Sequence, residues 1–423
     1  MKLRIQQARA YLRSSLWFIP SLFVLIGFIT AEAALRIDQT IERDGGWFLF
    51  GGGIESARAV VTTIATSMLT FTGLVFSVTM LVLQLASNQL SPRVMRTFLR
   101  DRANQAVLGM FIATFVYALL VLRRITTIAD GETFVPALSV WLAMVFVLIS
   151  IGLFVYYIHH MAQSIRPISV MAHVAEETRQ AIRRLYPDGV GEALPESVEP
   201  PSGEPTAIVL SPGPNGVLTG IDEERLLSAA AKQGCVIVLE HAIGDFVREG
   251  ARLFRVYGPW NEDAEADLTA SVAFGLERTM HQDAAFGFRQ LVDIAERALS
   301  PGINDPTTAV QVVDQLHALL GELVSRGIPS PNRKVEGALA VVLPRPDWGA
   351  YVALACDEIR RAGESQVQVQ RRLRAMLHDL LEVAPESRRA PLHEQLQLLD
   401  MALERDFSPL ERPRAGAGSA QGS

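Results

Sequence analysis

The chain has 423 residues, 49% of them hydrophobic, and a formal charge of -6. That balance excludes a general nucleic-acid binder, which needs a basic surface to neutralise phosphates. The length allows two or three domains, and the apolar residues crowd into the first 160 positions, so a membrane part precedes an ordinary soluble part.

In chain order, four apolar stretches reach bilayer length, for which about 20 residues suffice in a helix. They are 16–35, 59–85, 106–122 and 134–158, and they predict a four-helix transmembrane domain over 1–163. The first also has the layout of a signal peptide: basic residues, a short apolar core and a cleavage-like Ala31-Glu32-Ala33.

Basic residues set the orientation. Lys2, Arg4, Arg9 and Arg13 precede the first span, and Arg93, Arg96, Arg100 and Arg102 join the second to the third. Arg166, Arg179, Arg183 and Arg184 follow the fourth. The 37–57 connection holds only Arg43 against Asp38, Glu42, Asp44 and Glu55, while Arg123 and Arg124 dissent at the far end of span three. The balance predicts a bacterial inner-membrane protein with both termini in the cytoplasm.

Span two is the most informative. Thr62, Thr66, Thr70, Gly73, Ser77 and Gln84 recur at intervals of three, four or seven and so line one face of a helix. Thr63, Ser67, Thr72 and Thr79 add polarity beside it. Two readings stay open: small and hydroxyl residues that let helices approach, or a path whose hydroxyls replace waters of hydration. No span carries a charge in its middle, which weighs against a proton-coupled pump. Beyond it, 92–102 places arginines on one face and Val94, Phe98 and Leu99 on another, the pattern of an interfacial helix.

The segment 164–206 reads as an amphipathic helix, with Ile168, Met171, Val174, Ala175, Ile182 and Leu185 on one side, followed by a Pro-, Gly- and Glu-rich linker. Residues 207–258 predict a small β module of barrel-like form. Within it Asp222 caps a short helix that runs through Lys232 and stops at Gly234. The run Gly244-Asp245-Phe246-Val247 and the later Leu253-Phe254-x-Val256 are similar to lipoyl and biotinyl carrier domains. Those carriers attach their group to a lysine at a hairpin tip, whereas the only lysine here is Lys232 at a helix end, so the module reads as scaffold or contact surface. Residues 264–406 predict a helical domain whose first stripe is Leu268, Val272, Leu276 and Met280. The tail 407–423 lacks core-forming residues and reads as disordered. Cys235 and Cys356 lie far apart without a Cys-x-x-Cys spacing, and the histidines form no metal motif, so no cofactor and no metal site are expected.

The stretch ALSPGINDPTTAV, residues 298–310, departs from helical packing patterns. Leu299 ends one helix at Ser300-Pro301-Gly302, and Asp305 with Pro306 starts the next as cap and first residue. A tight corner accounts for those residues. Ser300, Asn304, Asp305, Thr307 and Thr308 also make a candidate ligand site, since a helix start offers unpaired N–H groups to an anion or phosphate, with a cation to offset Asp305. Asp293, Glu296 and Asp305 are candidate carboxylates for catalysis, with His281 and Asp283 upstream, but no nucleophile–base spacing accompanies them.

Two stretches together, FSVTMLVLQLASNQLSPRVMRTFLRDRANQAVLGMFIATFVYALLVL (76–122) and FGFRQLVDIAERALSPGINDPTTAVQVVDQL (286–316), resemble the bacterial predicted-membrane-protein family termed domain of unknown function 2254. The resemblance spans 16 to about 399 and implies a multi-span inner-membrane protein with a cytoplasmic C-terminal region. It implies no activity and no catalytic residues. The expected class is therefore mainly α: a four-helix transmembrane domain, a small cytoplasmic β-barrel-like module and a cytoplasmic helical domain. Three functions fit it: an oligomeric channel or passive transporter, a membrane-anchored sensor or scaffold, and a membrane-bound enzyme. The first is favoured. The expected partners are membrane lipids, further copies of the chain and a small anion or ion, without nucleic acid.

Overall fold

The structure, a computed structural model, describes residues 17–43, 53–89, 102–127, 133–164, 166–187, 201, 203–335 and 337–406. The interfacial pattern at 92–101, most of the linker before 206 and the tail 407–423 lie outside these residues. The chain divides near residue 166 into two compact units.

Among the described residues the first unit holds four helices, α1 (Phe18–Arg43), α2 (Ile54–Gln89), α3 (Arg102–Arg124) and α4 (Ala137–Ser164). Each is long and apolar enough to cross a bilayer. A two-stranded hairpin, β1 (Thr126–Thr127) with β2 (Thr133–Phe134), joins α3 to α4.

Small residues set the closest approach, and they lie between α1 and α3. A Cβ on Gly27 would stand 3.0 Å from the Ala113 carbonyl oxygen, and one on Gly109 would stand 3.0 Å from the Pro20 Cα. With no hydrophobic drive between helices in lipid, such backbone proximity is what dispersion rewards. Ala57, Val61 and Met68 of α2 then pack with Tyr117 and Val121 of α3 and Val140 and Ala143 of α4.

A polar lock crosses this core. Asp38, buried near the end of α1, accepts from the Leu138 and Ser139 N–H groups at 2.9 and 3.0 Å and from the Ser139 hydroxyl at 2.6 Å. It thus satisfies the open N-terminal turn of α4 and puts a negative group at the positive end of the helix dipole. The Tyr117 hydroxyl donates to the Ser139 carbonyl at 3.0 Å and ties in α3.

The second unit opens with α5 (Pro167–Leu185). Val170, Met171, Val174, Ala175, Thr178, Ala181 and Ile182 are buried at helical spacing, whereas Ile168, expected inside, is exposed. Two open sheets follow. One has five strands in the order β3 (Ala207–Leu210), β7 (Arg252–Tyr257), β5 (Val236–Leu239), β10 (Ala338–Val342) and β9 (Asn332–Val335). The other has three, β6 (Phe246–Val247), β4 (Gly216–Ile221) and β8 (Val272–Gly275). The barrel-like expectation is thereby corrected: both sheets keep free ends in their strand order, and β10 lies parallel to β5 while the other pairings are antiparallel. Their shared core includes Leu218, Leu226, Ile237, Phe254, Val256, Leu268 and Val341.

Three strands come from 264–406, which the sequence pattern marked as helical. Of the stripe Leu268, Val272, Leu276, Met280, the first lies in a short helix α7 (Glu265–Thr269) and the second in β8, while the last two follow β8 and Leu276 is 92% exposed. A spacing of four keeps residues near one helix face but also on one side of a strand, so it selects neither period. Strands β9 and β10 meet at Gly337, whose φ of 84° is the left-handed turn conformation that glycine accepts without strain.

Local punctuation behaves as expected. Helix α6 (Glu223–Gln233) starts at Asp222, which accepts from the Arg225 N–H, and stops at left-handed Gly234. Helices α8 (Ala284–Leu299), α9 (Pro306–Leu323), α10 (Trp348–Ala362), α11 (Val367–Val383) and α12 (Arg389–Asp406) complete the unit. Helix α8 lies against α5 so closely that a Cβ on Gly287 would be 1.9 Å from the Thr178 hydroxyl oxygen. Arg388, buried, donates to the carbonyls of Leu323, Val324 and Arg326 at 2.6–2.9 Å and closes the C-terminal turn of α9. Its guanidinium lies over the Trp348 ring, 5.5 Å from the centroid.

Candidate functional site

Helix α2 presents two unlike faces. Ala57, Val61, Ile64, Ala65, Met68, Val75 and Val82 are buried against the other helices. Thr62, Thr66, Thr70, Gly73, Ser77 and Gln84 are all exposed on the single chain. A Cβ on Gly73 would meet nothing within 4 Å, so this glycine makes no close helix crossing among the described residues. The small residues that bring helices together are Gly27 and Gly109, on α1 and α3.

Four hydroxyls of the exposed face bond back into their own helix. Thr63, Thr66, Thr70 and Ser77 donate to the carbonyls of Ala59, Thr62, Thr66 and Gly73 at 2.8–3.0 Å. Thr72 and Thr79 are half-buried, and Thr79 also meets the Tyr157 hydroxyl at 2.8 Å. At the start of the helix an open groove is lined by Glu55, Arg58, Ala59, Thr62, Thr63, Thr66 and Ser67. Arg58 stands 3.9 Å from Glu55 and donates to the Ile125 carbonyl at 3.3 Å, closing the end of α3.

The 298–308 corner is held by its own members. Asp305 caps α9, accepting from the Thr308 N–H at 3.1 Å and the Thr308 hydroxyl at 2.6 Å. The Thr308 hydroxyl is the chief reason that the Asp305 carboxyl is held below its usual range. The Asp305 N–H returns to the Ala298 carbonyl at 2.7 Å, and Ser300 donates its hydroxyl to the Arg297 carbonyl at 2.7 Å. Asn304 takes a left-handed φ of 48°, which asparagine tolerates better than most residues. Its side-chain oxygen accepts from the Gln366 amide at 3.1 Å, fastening the corner to the start of α11. Thr307 is exposed. Capping, turn closure and the Gln366 contact thus engage Ser300, Asn304, Asp305 and Thr308.

Two of the candidate carboxylates, Asp293 and Glu296, gather with Glu358 around Arg289, and Asp305 stands apart from them. Asp293 and Glu358 flank Arg289, and burial, then the neighbouring Glu358, pushes the Glu296 carboxyl up. Asp305 is turned to Thr308 instead. Asp283 is the cap of α8, accepting from the Phe286 N–H at 3.0 Å and paired with Arg278 at 2.9 Å. Burial raises its carboxyl, with Arg278 pulling the other way. Burial, then the Arg184 charge, lowers the His281 imidazole. Among the described residues no three His, Cys, Asp or Glu side chains are grouped as a metal site. Cys235 and Cys356 are buried free thiols, and burial pushes Cys356 up to about 12, so neither is a ready nucleophile.

Asp38 is the polar residue that the sequence reading placed only among loop charges. The signal was present: it continues the face of Ala31, Ala34 and Leu35 at helical spacing, and all four are buried.

A family model described as "predicted membrane protein", domain of unknown function 2254, matches residues 13–379. Two curated relatives, each named only as an uncharacterized protein, are Mb1321c of Mycobacterium bovis and Rv1290c of Mycobacterium tuberculosis strain H37Rv. Each is 34% identical over 414 residues, covering 94% of this chain and 78% of the relative. No solved structure matches.

Proposed function

Since the chain belongs to the domain-of-unknown-function 2254 family of predicted membrane proteins, we propose that it forms an oligomeric channel or passive transporter whose path is lined by the hydroxyl face of α2. It would act in the bacterial inner membrane with both termini cytoplasmic, and the second unit would gate or assemble it. The observation that carries this reading is the unused face of α2. Elsewhere the exposed surface of the spans is what hydrocarbon demands, with Leu25, Ile26 and Ile29 on α1 and Leu148, Ile151 and Val155 on α4. Along α2 the stripe from Thr62 to Ser77 departs from that rule while its opposite face supplies the packing. One copy cannot enclose a path, so the reading requires copies around a closed symmetry axis with α2 innermost.

Reconstitution of the purified chain in liposomes tests it. Thr66→Leu combined with Thr70→Leu suits an apolar span but removes two oxygens from the path and adds bulk in their place. Flux is expected to disappear while the variant still assembles. Undiminished flux would take these residues out of the path. The ligand-site alternative at 298–308 lacks comparable support, because Asp305 and Asn304 are already engaged within the corner.

A further inference from the structure

Helices α9 and α11 pack together, and each buries an apolar stripe, with Val312, Leu316 and Leu320 on the first and Leu373, Met376 and Leu380 on the second. Four polar side chains outside those stripes join the same two helices. Asp314 of α9 accepts from the Arg372 Nε of α11 at 2.5 Å. An Nη of the same guanidinium lies 2.9 Å from the His317 Nδ1. On its other side the His317 Nε2 lies 3.9 Å from the Asp379 carboxylate.

The contact with Arg372 fixes the state of this histidine. A guanidinium only donates, so the 2.9 Å contact is a hydrogen bond only where Nδ1 accepts. The imidazole is then neutral and carries its proton on Nε2. A further proton has to sit on Nδ1, in the place of the Arg372 N–H. It removes the hydrogen bond and sets two like charges in contact. The charged groups that face His317 are Arg372 and Asp379 from α11 and Asp314 from its own helix. Burial, then Arg372, holds the imidazole below its ordinary range against the opposing pull of Asp379 and Asp314. The unfolded chain therefore takes up the proton first. The tie is whole above the ordinary histidine value of about 6.5 and is lost as pH falls through the lower folded value. The neighbouring tie from Gln366 to Asn304 has no titratable group, so acid leaves the start of α11 fastened.

We propose that the Asp314–Arg372–His317 bridge is an acid-sensitive latch, which holds α11 on α9 near neutrality and releases it when His317 gains a proton. This device goes beyond the channel reading and stands whether or not the chain conducts. Amide hydrogen exchange of the full chain in detergent tests it at about pH 7.5 and about pH 5, on either side of the histidine range. Once the intrinsic effect of pH on exchange is removed, the middle of α11 should open roughly ten-fold more in acid, the loss of one charged hydrogen bond. His317→Asn keeps an acceptor near the place of Nδ1 and cannot be charged, so its α11 should stay closed at both values. Arg372→Gln removes the guanidinium and should leave α11 equally open at both. Wild-type opening that does not change with pH overturns the latch. So does a His317→Asn variant that still opens in acid. If that variant fails to fold, Arg372→Gln decides: an acid response as large as that of the wild type overturns the bridge as the group that acid breaks.

Discussion

Helix α4 in the first unit and helix α9 in the second are each closed by a charged side chain from far away in sequence. The N-terminal turn of α4 receives the carboxylate of Asp38, 100 residues upstream. The C-terminal turn of α9 receives the guanidinium of Arg388, 65 residues downstream. In both cases the sign opposes the helix dipole and the group is buried. The settings differ. Asp38 serves two backbone N–H groups and one hydroxyl among apolar spans, whereas Arg388 serves three carbonyls and also stacks on an indole. The same backbone problem is met with one compact acceptor in the first unit and a wide planar donor in the second.

Removing the larger device should have the larger effect. Arg388→Ala leaves three buried carbonyls and one indole face without their partner, a loss of about 3–5 kcal/mol by analogy with broken buried charge networks. Thermal unfolding of the full chain in detergent measures it. Arg388→Lys should recover only part, because an ammonium cannot span three carbonyls as a guanidinium does. A loss no greater than that of an exposed arginine such as Arg405 would break the comparison.

Gly287→Ala comes next, at roughly 2–3 kcal/mol, because its Cβ would fall 1.9 Å from the Thr178 oxygen. The partner variant sharpens this expectation. Thr178→Ala removes the obstruction, so the double variant should be more stable than Gly287→Ala alone, and a double-mutant cycle reads the coupling. Simple additivity would count against the close crossing of α5 and α8.

Asp38→Ala should cost about 2 kcal/mol, the upper end for a lost N-terminal cap, with Asp38→Asn in between because its amide keeps one acceptor. Stability of the bundle in lipid or detergent is the readout. Asp305→Asn should be the mildest, about 1 kcal/mol or less. Its carboxyl is held below the usual range in the folded chain, so its contribution is present above the unfolded value and fades as pH falls through the folded one. The gap between wild type and Asp305→Asn should therefore be full near neutrality and close in strong acid. A gap that widens in acid would contradict the cap.

The contrast between local and distant closure also explains what was legible in the sequence. Asp222, Gly234, Asp305 and Pro306 act on backbone within a turn of themselves, so their spacing reveals their role. The four spans are legible because bilayer length is a property of a single stretch. Asp38 and Arg388 work across folds of the chain, and nothing adjacent in sequence marks their partners. The stripe from Leu268 to Met280 misled because intervals of four serve both periods. For the candidate path, the alignment of Thr62, Thr66, Thr70 and Ser77 was readable from spacing, but the direction of their hydrogen bonds and the free state of that face were not. The corner at Asn304 was readable as a turn, yet its tie to Gln366 spans 62 residues.

The parallel pairing of β10 with β5 has a consequence for the order of synthesis. Val238 lies beside Val342, so the inner edge of β5 leaves the ribosome roughly 100 residues before its neighbour exists, an interval of roughly 5–20 s at ordinary elongation rates. During that time the nascent chain carries an unpaired strand edge rich in valine, isoleucine and leucine, the kind of surface that recruits chaperones or like strands. Maturation of the second unit is thus gated by translation of its distal hairpin, and a ribosome stalled near residue 330 would hold the sheet open.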